Sequence, residues 1–292
     1  MIEYQGKIIV IAGPTASGKS DIAIRLAKQL GGYVINADSR QIYKYLNIGT
    51  AKPTPEEIKD DCFIIDGIKH YLFDIVDPKE RYSLFKYQRG VSNILRKEKG
   101  IPILVGGTGL YIDSVIYNYK LKENTYDENL STLSLEELQS KASDYLGDMT
   151  ESDRKNRHRL IRVLQRGGMG NERGNRLNAI YFVLDISKDI LKKRVEERIE
   201  DMFEMGLENE NRKLLDMGYT YEDSGLNSIG YMEFREYFNN EITIEELKER
   251  IYKNTMKYIK RQRTWFRRNK ESIWTDSYDN ILQLASNFIN GE

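Results

Sequence analysis

The stretch Gly13-Pro14-Thr15-Ala16-Ser17-Gly18-Lys19-Ser20 follows the apolar run Lys-Ile-Ile-Val-Ile-Ala. Its fixed places, Gly13, Gly18, Lys19 and Ser20, match G-x-x-x-x-G-K-[ST], the loop also found in ATP-binding proteins, with a strand before it and a helix after it. The glycines let backbone N–H groups converge on an anion at a helix N-terminus. Lys19 adds a positive charge, and Ser20 is placed to ligate Mg²⁺. The pattern specifies a diphosphate or a triphosphate and leaves open whether a nucleotide carries it. Phosphoryl-transfer enzymes of this loop class add a strand-end Asp that holds the metal. Asp38, Asp74 and Asp185 are the candidates, and Asp185 reads equally well as a helix cap.

The chemistry available is bounded by composition. The chain has two histidines and one cysteine, Cys62. A structural zinc site, a Cys/His pair and an internal disulfide are therefore poor readings, and carboxylates, lysines, arginines and hydroxyls must carry any catalysis. The longest apolar runs are far below the roughly 18 residues that span a bilayer. The N-terminus lacks the apolar centre of a signal peptide. A cytoplasmic, reducing setting is expected.

The elements that must position the loop can be read from periodicity. Residues 7–12, 33–37, 101–105 and 179–185 are short, apolar and rich in β-branched residues, as buried strands are. Residues 21–30 have helical spacing and stop at Gly31-Gly32. Residues 83–99 read as a helix with Ser83 as N-cap and Gly100 as stop, and a short helix follows residues 106–111. Ser187 opens a helix over 187–217. Thr243 with Glu246 makes a capping box for a long helix through about Arg268, and residues 272–276 allow a last strand. Strand–helix alternation predicts an α/β fold: a P-loop NTPase-like parallel sheet flanked by helices. Residues 118–150 are polar and acid-rich, with a second capping box at Ser134 and Glu137, and read as a small helical insertion. The division is thus 1–117, the first part of the core; 118–150, the insertion; and 151–292, the rest of the core with a helical C-terminal region. Residues 167–175 read as a flexible loop.

Charge is segregated. Lys+Arg and Asp+Glu both number 45, yet residues 253–270 hold eight basic residues and no acid, and residues 154–166 hold six and no acid. Two concentrated basic helices in a neutral chain point to a local polyanion site. Trp265 and Phe266, interleaved with the basic residues, read as core at this spacing.

Asp38 ends the second strand, at the sheet edge where open α/β folds bind ligands, and Ile48-Gly49-Thr50-Ala51-Lys52-Pro53 forms a polar loop over the same edge. Together with the phosphate loop, the segment Asn36–Glu57 closely resembles the bacterial tRNA dimethylallyltransferases. The likeness continues through IPILVGGTGLY (101–111), Gly206-Leu207 with Glu210, IGY-x-EF (229–234) and KRQRTWFR (260–267), in collinear order over most of the chain. The resemblance implies transfer of a dimethylallyl group from dimethylallyl diphosphate to N6 of the adenosine 3′ of the anticodon, with release of diphosphate. It implies that Asp38 is the general base, that Thr108 is a hydrogen-bond donor near the reacting atoms, and that Arg198, with Arg194 one turn earlier, holds diphosphate beside residues 13–20. Ser39, Arg40 and Gln41 would contact the target adenosine and its neighbours. Arg159, Arg162, Lys260, Arg261, Gln262 and Arg267 would meet the anticodon stem-loop. A monomer without an obligate protein partner is expected. The chain departs from the family pattern at Lys155-Asn156, Met232 and Met256, which bears on tRNA selection more than on chemistry. A P-loop kinase of a small metabolite or nucleoside is the main rival, and a non-catalytic RNA-binding NTPase the second.

Overall fold

The computed structural model describes residues 1–122, 127–168 and 172–291. At its centre is an eight-stranded sheet in the order β3-β4-β5-β2-β6-β1-β7-β8. The strands are β1 (Ile8–Ala12), β2 (Gly32–Asn36), β3 (Glu57–Lys59), β4 (Cys62–Ile65), β5 (Ile68–Tyr71), β6 (Ile101–Gly106), β7 (Ala179–Leu184) and β8 (Ile273–Thr275). From β5 to β8 every pairing is parallel. The β3–β4 and β4–β5 pairings are antiparallel. The expected parallel sheet is therefore extended by an antiparallel edge that the strand periodicity did not reveal. Its strands are only three or four residues long. The signal was in the turns: Asp60-Asp61 and Asp66-Gly67 each take positive φ at both positions, as tight two-residue hairpins require.

One face of the sheet is covered by α1 (Lys19–Leu30) and the C-terminal helix, and the other by α2 (Leu84–Lys97) and α3 (Gly109–Ile116). Phe266 is buried in the second core and Trp265 packs against it, so these two aromatics of the basic stretch serve packing as expected. Ser83 caps α2 through Lys86 N–H, and both capping boxes form as read.

The small helices α4 (Leu135–Lys141), α5 (Ser143–Leu146) and α6 (Glu151–Arg154) pack with α7 (Arg157–Arg166) around Leu138, Leu160 and Val163. The insertion's core thus runs past residue 150 and takes in the first basic helix. The basic stretch 154–166 is not one continuous helix: Asn156 interrupts it and caps α7, its side chain accepting from Arg159 N–H. Part of the loop expected at 167–175 lies outside the described residues.

The helix expected over 187–217 is two helices, α8 (Lys188–Glu204) and α9 (Leu207–Asp216). Gly206 at φ 96° breaks it, a left-handed conformation that a side chain would disfavour. The break lets α8 and α9 pack on different partners. Beyond them lie α10 (Phe234–Phe238), the long helix α11 (Ile244–Phe266) and α12 (Tyr278–Asn290). Val195 and Ile199 of α8 meet Ile251 and Ile259 of α11 in a third apolar cluster, above the carboxyl edge of the sheet. Among the described residues no helix is long and apolar enough to cross a membrane.

Candidate active site

The phosphate loop leaves β1 and closes on α1 at Gly18, which sits at φ 85° and adds no side-chain cap. The first N–H groups of α1 therefore face the loop, where an anion can accept from them. Ala16 takes φ 61°, a strained left-handed conformation for a residue with a side chain. Arg194 Nη1 donates to its carbonyl at 3.3 Å. Arg198 Nη1 donates to Thr15 Oγ1 at 3.0 Å. Of the carboxylates near these arginines on α8, Glu197 pairs with Lys193 and Glu200 with Lys248. Lys19 Nζ reaches back across the loop to the Pro14 carbonyl at 2.6 Å. Burial pulls the Lys19 ammonium down to about 8, while Asp38 acts to raise it and Arg198 to lower it further. Burial likewise lowers Arg198.

Asp38 follows β2 and stands at the carboxyl edge of the sheet. Its Oδ1 accepts from Arg40 N–H at 2.8 Å, a local turn that fixes the carboxylate without capping a helix. Thr108 occupies the N-cap position of α3 but makes no capping bond. Its hydroxyl instead accepts from Ser39 N–H at 3.0 Å and lies 3.2 Å from Ser39 Oγ. The other strand-end acids are neutralised: Asp74 by the buried Lys52, Asp185 by Arg263 at 3.0 Å.

Two cavities flank this point. One, of about 310 Å³, is walled by residues 15–21 of the phosphate loop and α1, with Phe73 and Val105 at its apolar end. The other, of about 560 Å³, is walled by Ser39, Arg40, Arg261 and Tyr258, with Ile199 and Ile251 on its apolar side. Thr15, Asp38, Thr50 and Arg198 line both. The phosphate-binding cavity and the larger one thus meet at the carboxylate.

The loop that supplies Thr50 is held by groups that sequence reasoning did not assign. The Glu210 carboxylate accepts from the N–H groups of Asn47, Ile48 and Gly49 and from the Tyr231 hydroxyl. Gln41, expected to touch RNA, donates to the Thr50 and Ala51 carbonyls at 3.1 Å each, and so braces this loop from the phosphate side. Tyr258, also unassigned from sequence, is carried by α11 to the wall of the larger cavity.

Gln262 requires a correction. Expected at the RNA surface, it is buried, at 4 % exposure. Its Oε1 accepts from Thr15 N–H at 3.0 Å and its Nε2 donates to the Gly107 carbonyl at 2.9 Å. The amide fits because Gly107 has no side chain; a Cβ there would lie 2.2 Å from Nε2. Gln262 ties the phosphate loop to the β6–α3 turn. Gln262→Leu, which fills the volume but makes neither bond, is expected to weaken diphosphate binding by about tenfold, measured by calorimetry, with RNA affinity unchanged.

Lys260 and Arg267 are exposed on and just beyond α11, and Arg261 lines the larger cavity. Arg159 and Arg162 are exposed on α7, in the separate helical cluster and outside both cavities. Arg159 makes a long contact of 3.6 Å with Asp153. Met232, one of the departures, is exposed at the wall of the larger cavity, and Met256 packs against the α8–α11 cluster.

A phosphate loop that opens, past a fixed carboxylate, into a second cavity suits a transferase of the phosphate-loop class, which must hold donor and acceptor side by side. Residues 41–269 match the family model for IPP transferases. The chain is 35 % identical over 300 residues to a tRNA dimethylallyltransferase of Carboxydothermus hydrogenoformans, covering 95 % of this chain and 94 % of that one. It is 36 % identical over 313 residues to one of a Thermoanaerobacter species, covering 97 % and 96 %. The crystal structure of a full-length tRNA isopentenylpyrophosphate transferase from Bacillus halodurans superposes with a TM-score of 0.71 at 32 % identity, covering 98 % of this chain and 96 % of that one. The chain belongs to the IPP transferase family.

Proposed function

We propose that the protein transfers the dimethylallyl group of dimethylallyl diphosphate to tRNA, at N6 of the adenosine immediately 3′ of the anticodon, releasing diphosphate. The observation that carries this reading is the meeting of two cavities at Asp38, one built for a diphosphate and one rimmed by arginines. The family's relatives support the prenyl donor and the RNA acceptor.

The mechanism follows from the groups at the junction. An exocyclic purine amine is a weak nucleophile. Asp38, held by Arg40 N–H, accepts a hydrogen bond from N6–H and takes the proton as the N6–C1 bond forms. The C1–O bond breaks and its electron pair stays on the bridging oxygen of diphosphate. Lys19, Arg198, Arg194 and the N–H groups at the start of α1 stabilise that growing charge, and Thr108 donates to it. Ser20 is exposed in the first turn of α1 and lines the smaller cavity beside Asp21. That donor set suits Mg²⁺, which takes one or two protein oxygens together with substrate phosphates and water. Bound there, the ion would neutralise diphosphate charge. Arg159, Arg162, Lys260, Arg261 and Arg267 supply phosphate contacts for the anticodon stem-loop. The protein acts as a monomer in the cytoplasm.

The test is incubation of the purified protein with unmodified tRNA, Mg²⁺ and either dimethylallyl diphosphate or ATP. Mass spectrometry is expected to find prenylated adenosine with the first and no modification with the second. Phosphorylation of a small acceptor with ATP, and no RNA product, would overturn the reading in favour of a kinase.

A further inference from the structure

Glu210 stands on α9, lines neither cavity and takes no part in the transfer itself. Its carboxylate nevertheless gathers donors from two separate stretches of chain. Oε2 accepts from Asn47 N–H at 3.1 Å and from Ile48 N–H at 2.9 Å. Oε1 accepts from Ile48 N–H at 3.0 Å, from Gly49 N–H at 3.2 Å and from the Tyr231 hydroxyl at 2.6 Å. The next residue, the buried Asn211, donates to the Gly230 carbonyl at 3.2 Å. The two stretches also touch each other. A Cβ on Gly49 would lie 2.6 Å from the Tyr231 ring, and one on Gly230 would lie 3.3 Å from the Gly49 carbonyl oxygen.

Both stretches go on to wall the larger cavity, the first through Gly49 and Thr50, the second through Ile229, Gly230 and Met232. Thr50 and Ala51 reach the smaller cavity too, but there Gln41 holds their carbonyls. We infer that Glu210 is a positioning residue: by clasping residues 47–49 and Tyr231 to one carboxylate, it fixes the walls against which the acceptor base is placed for Asp38. No bond or proton of the reaction passes through Glu210. Its effect falls on the acceptor side of the junction, because the donor side has its own brace in Gln41. This inference rests on the prenyl-transfer reading of the site and adds a residue to it.

Glu210→Gln keeps the size of the side chain but turns one oxygen into an NH2, so a donor faces donors and backbone N–H groups lose their acceptor. A wall that shifts slightly misplaces the acceptor amine, and misplacement is costly at reacting atoms. Glu210→Gln is expected to lower the single-turnover rate, at saturating donor and tRNA, about tenfold and to raise the steady-state KM for tRNA roughly three- to fivefold. Donor affinity, by calorimetry, is expected to stay within about twofold, because the phosphate loop and the Gln41 brace are untouched. Tyr231→Phe keeps the ring packed on Gly49 and spares the backbone contacts of Glu210. It is expected to show a loss of the same kind but only about two- to threefold, and it carries the test if Glu210→Gln does not fold. A general loosening of the fold would weaken donor and acceptor alike. Unchanged turnover, or donor affinity falling in step with the rate, would overturn the inference. A wild-type protein that makes no prenylated adenosine would instead remove the parent reading, so the two failures are distinguishable.

Discussion

Asp38→Asn is expected to lower turnover by about 10²-fold or more while leaving tRNA affinity within about twofold. The substitution is nearly isosteric. Asn retains an oxygen that can accept from Arg40 N–H, so the turn now made at 2.8 Å survives. What is lost is the ability to take a proton from N6 as the new bond forms. The surrounding charges sharpen the expectation, because the carboxylate lies within electrostatic reach of both Lys19 and Arg198. These cations can hold a diphosphate beside the carboxylate. Single-turnover rates under saturating donor, with filter binding of tRNA in parallel, would make the comparison. Unchanged turnover would remove Asp38 as the base. A parallel loss of tRNA binding would show that the residue organises the acceptor cavity instead.

The second large effect is expected at Lys19. Lys19→Ala should reduce kcat/KM for the donor by about 10²- to 10³-fold, in the range seen when one preorganised charge-stabilising donor is removed. The wild-type protein carries a related signature in its pH dependence. The ammonium sits at about 8 because burial disfavours its charge. A bound diphosphate favours the charged form and raises that value. Donor affinity should therefore hold below about pH 8 and fall by roughly tenfold per unit above it, as proton uptake becomes part of binding. For stability the sign is opposite. A charged, buried Lys19 costs the fold free energy at neutral pH, and that cost is relieved as pH rises through about 8 toward the ordinary lysine value. Donor affinity weakening while the apo fold firms over the same interval is the pattern to look for, by calorimetry and thermal melts between pH 7 and 10. A flat donor affinity across that range would show that Lys19 does not bind the diphosphate in its charged form.

The fold was legible where one residue type answers one physical need. Buried parallel strands need unbroken apolar runs, and β1, β6 and β7 have them. A phosphate loop needs glycine where the chain turns left-handed, and Gly18 stands there at φ 85°. The edge strands β3 to β5 were missed because three- and four-residue segments carry too little periodicity, although Asp66-Gly67 marked their turn. The helix over 187–217 was read through Gly206 because the periodicity on either side is helical; the break is decided by what α8 and α9 each pack against.

The chain by itself determined the phosphate loop, the strand-end carboxylate at Asp38 and the two basic stretches, because each depends on residues close in sequence whose chemistry is evident from type and spacing. Tertiary structure alone decided which of them act together. Arg194 and Arg198 lie some 180 residues from the loop they reach, with Glu196, Glu197 and Glu200 closer to hand in sequence. Gln262 and Arg261 are adjacent in a single basic run, yet one is sealed between two loops and the other lines the acceptor cavity. Neighbouring residues on a helix point about 100° apart, and which of those directions meets a loop, a cavity or water is set by the packing of α11 over the sheet edge.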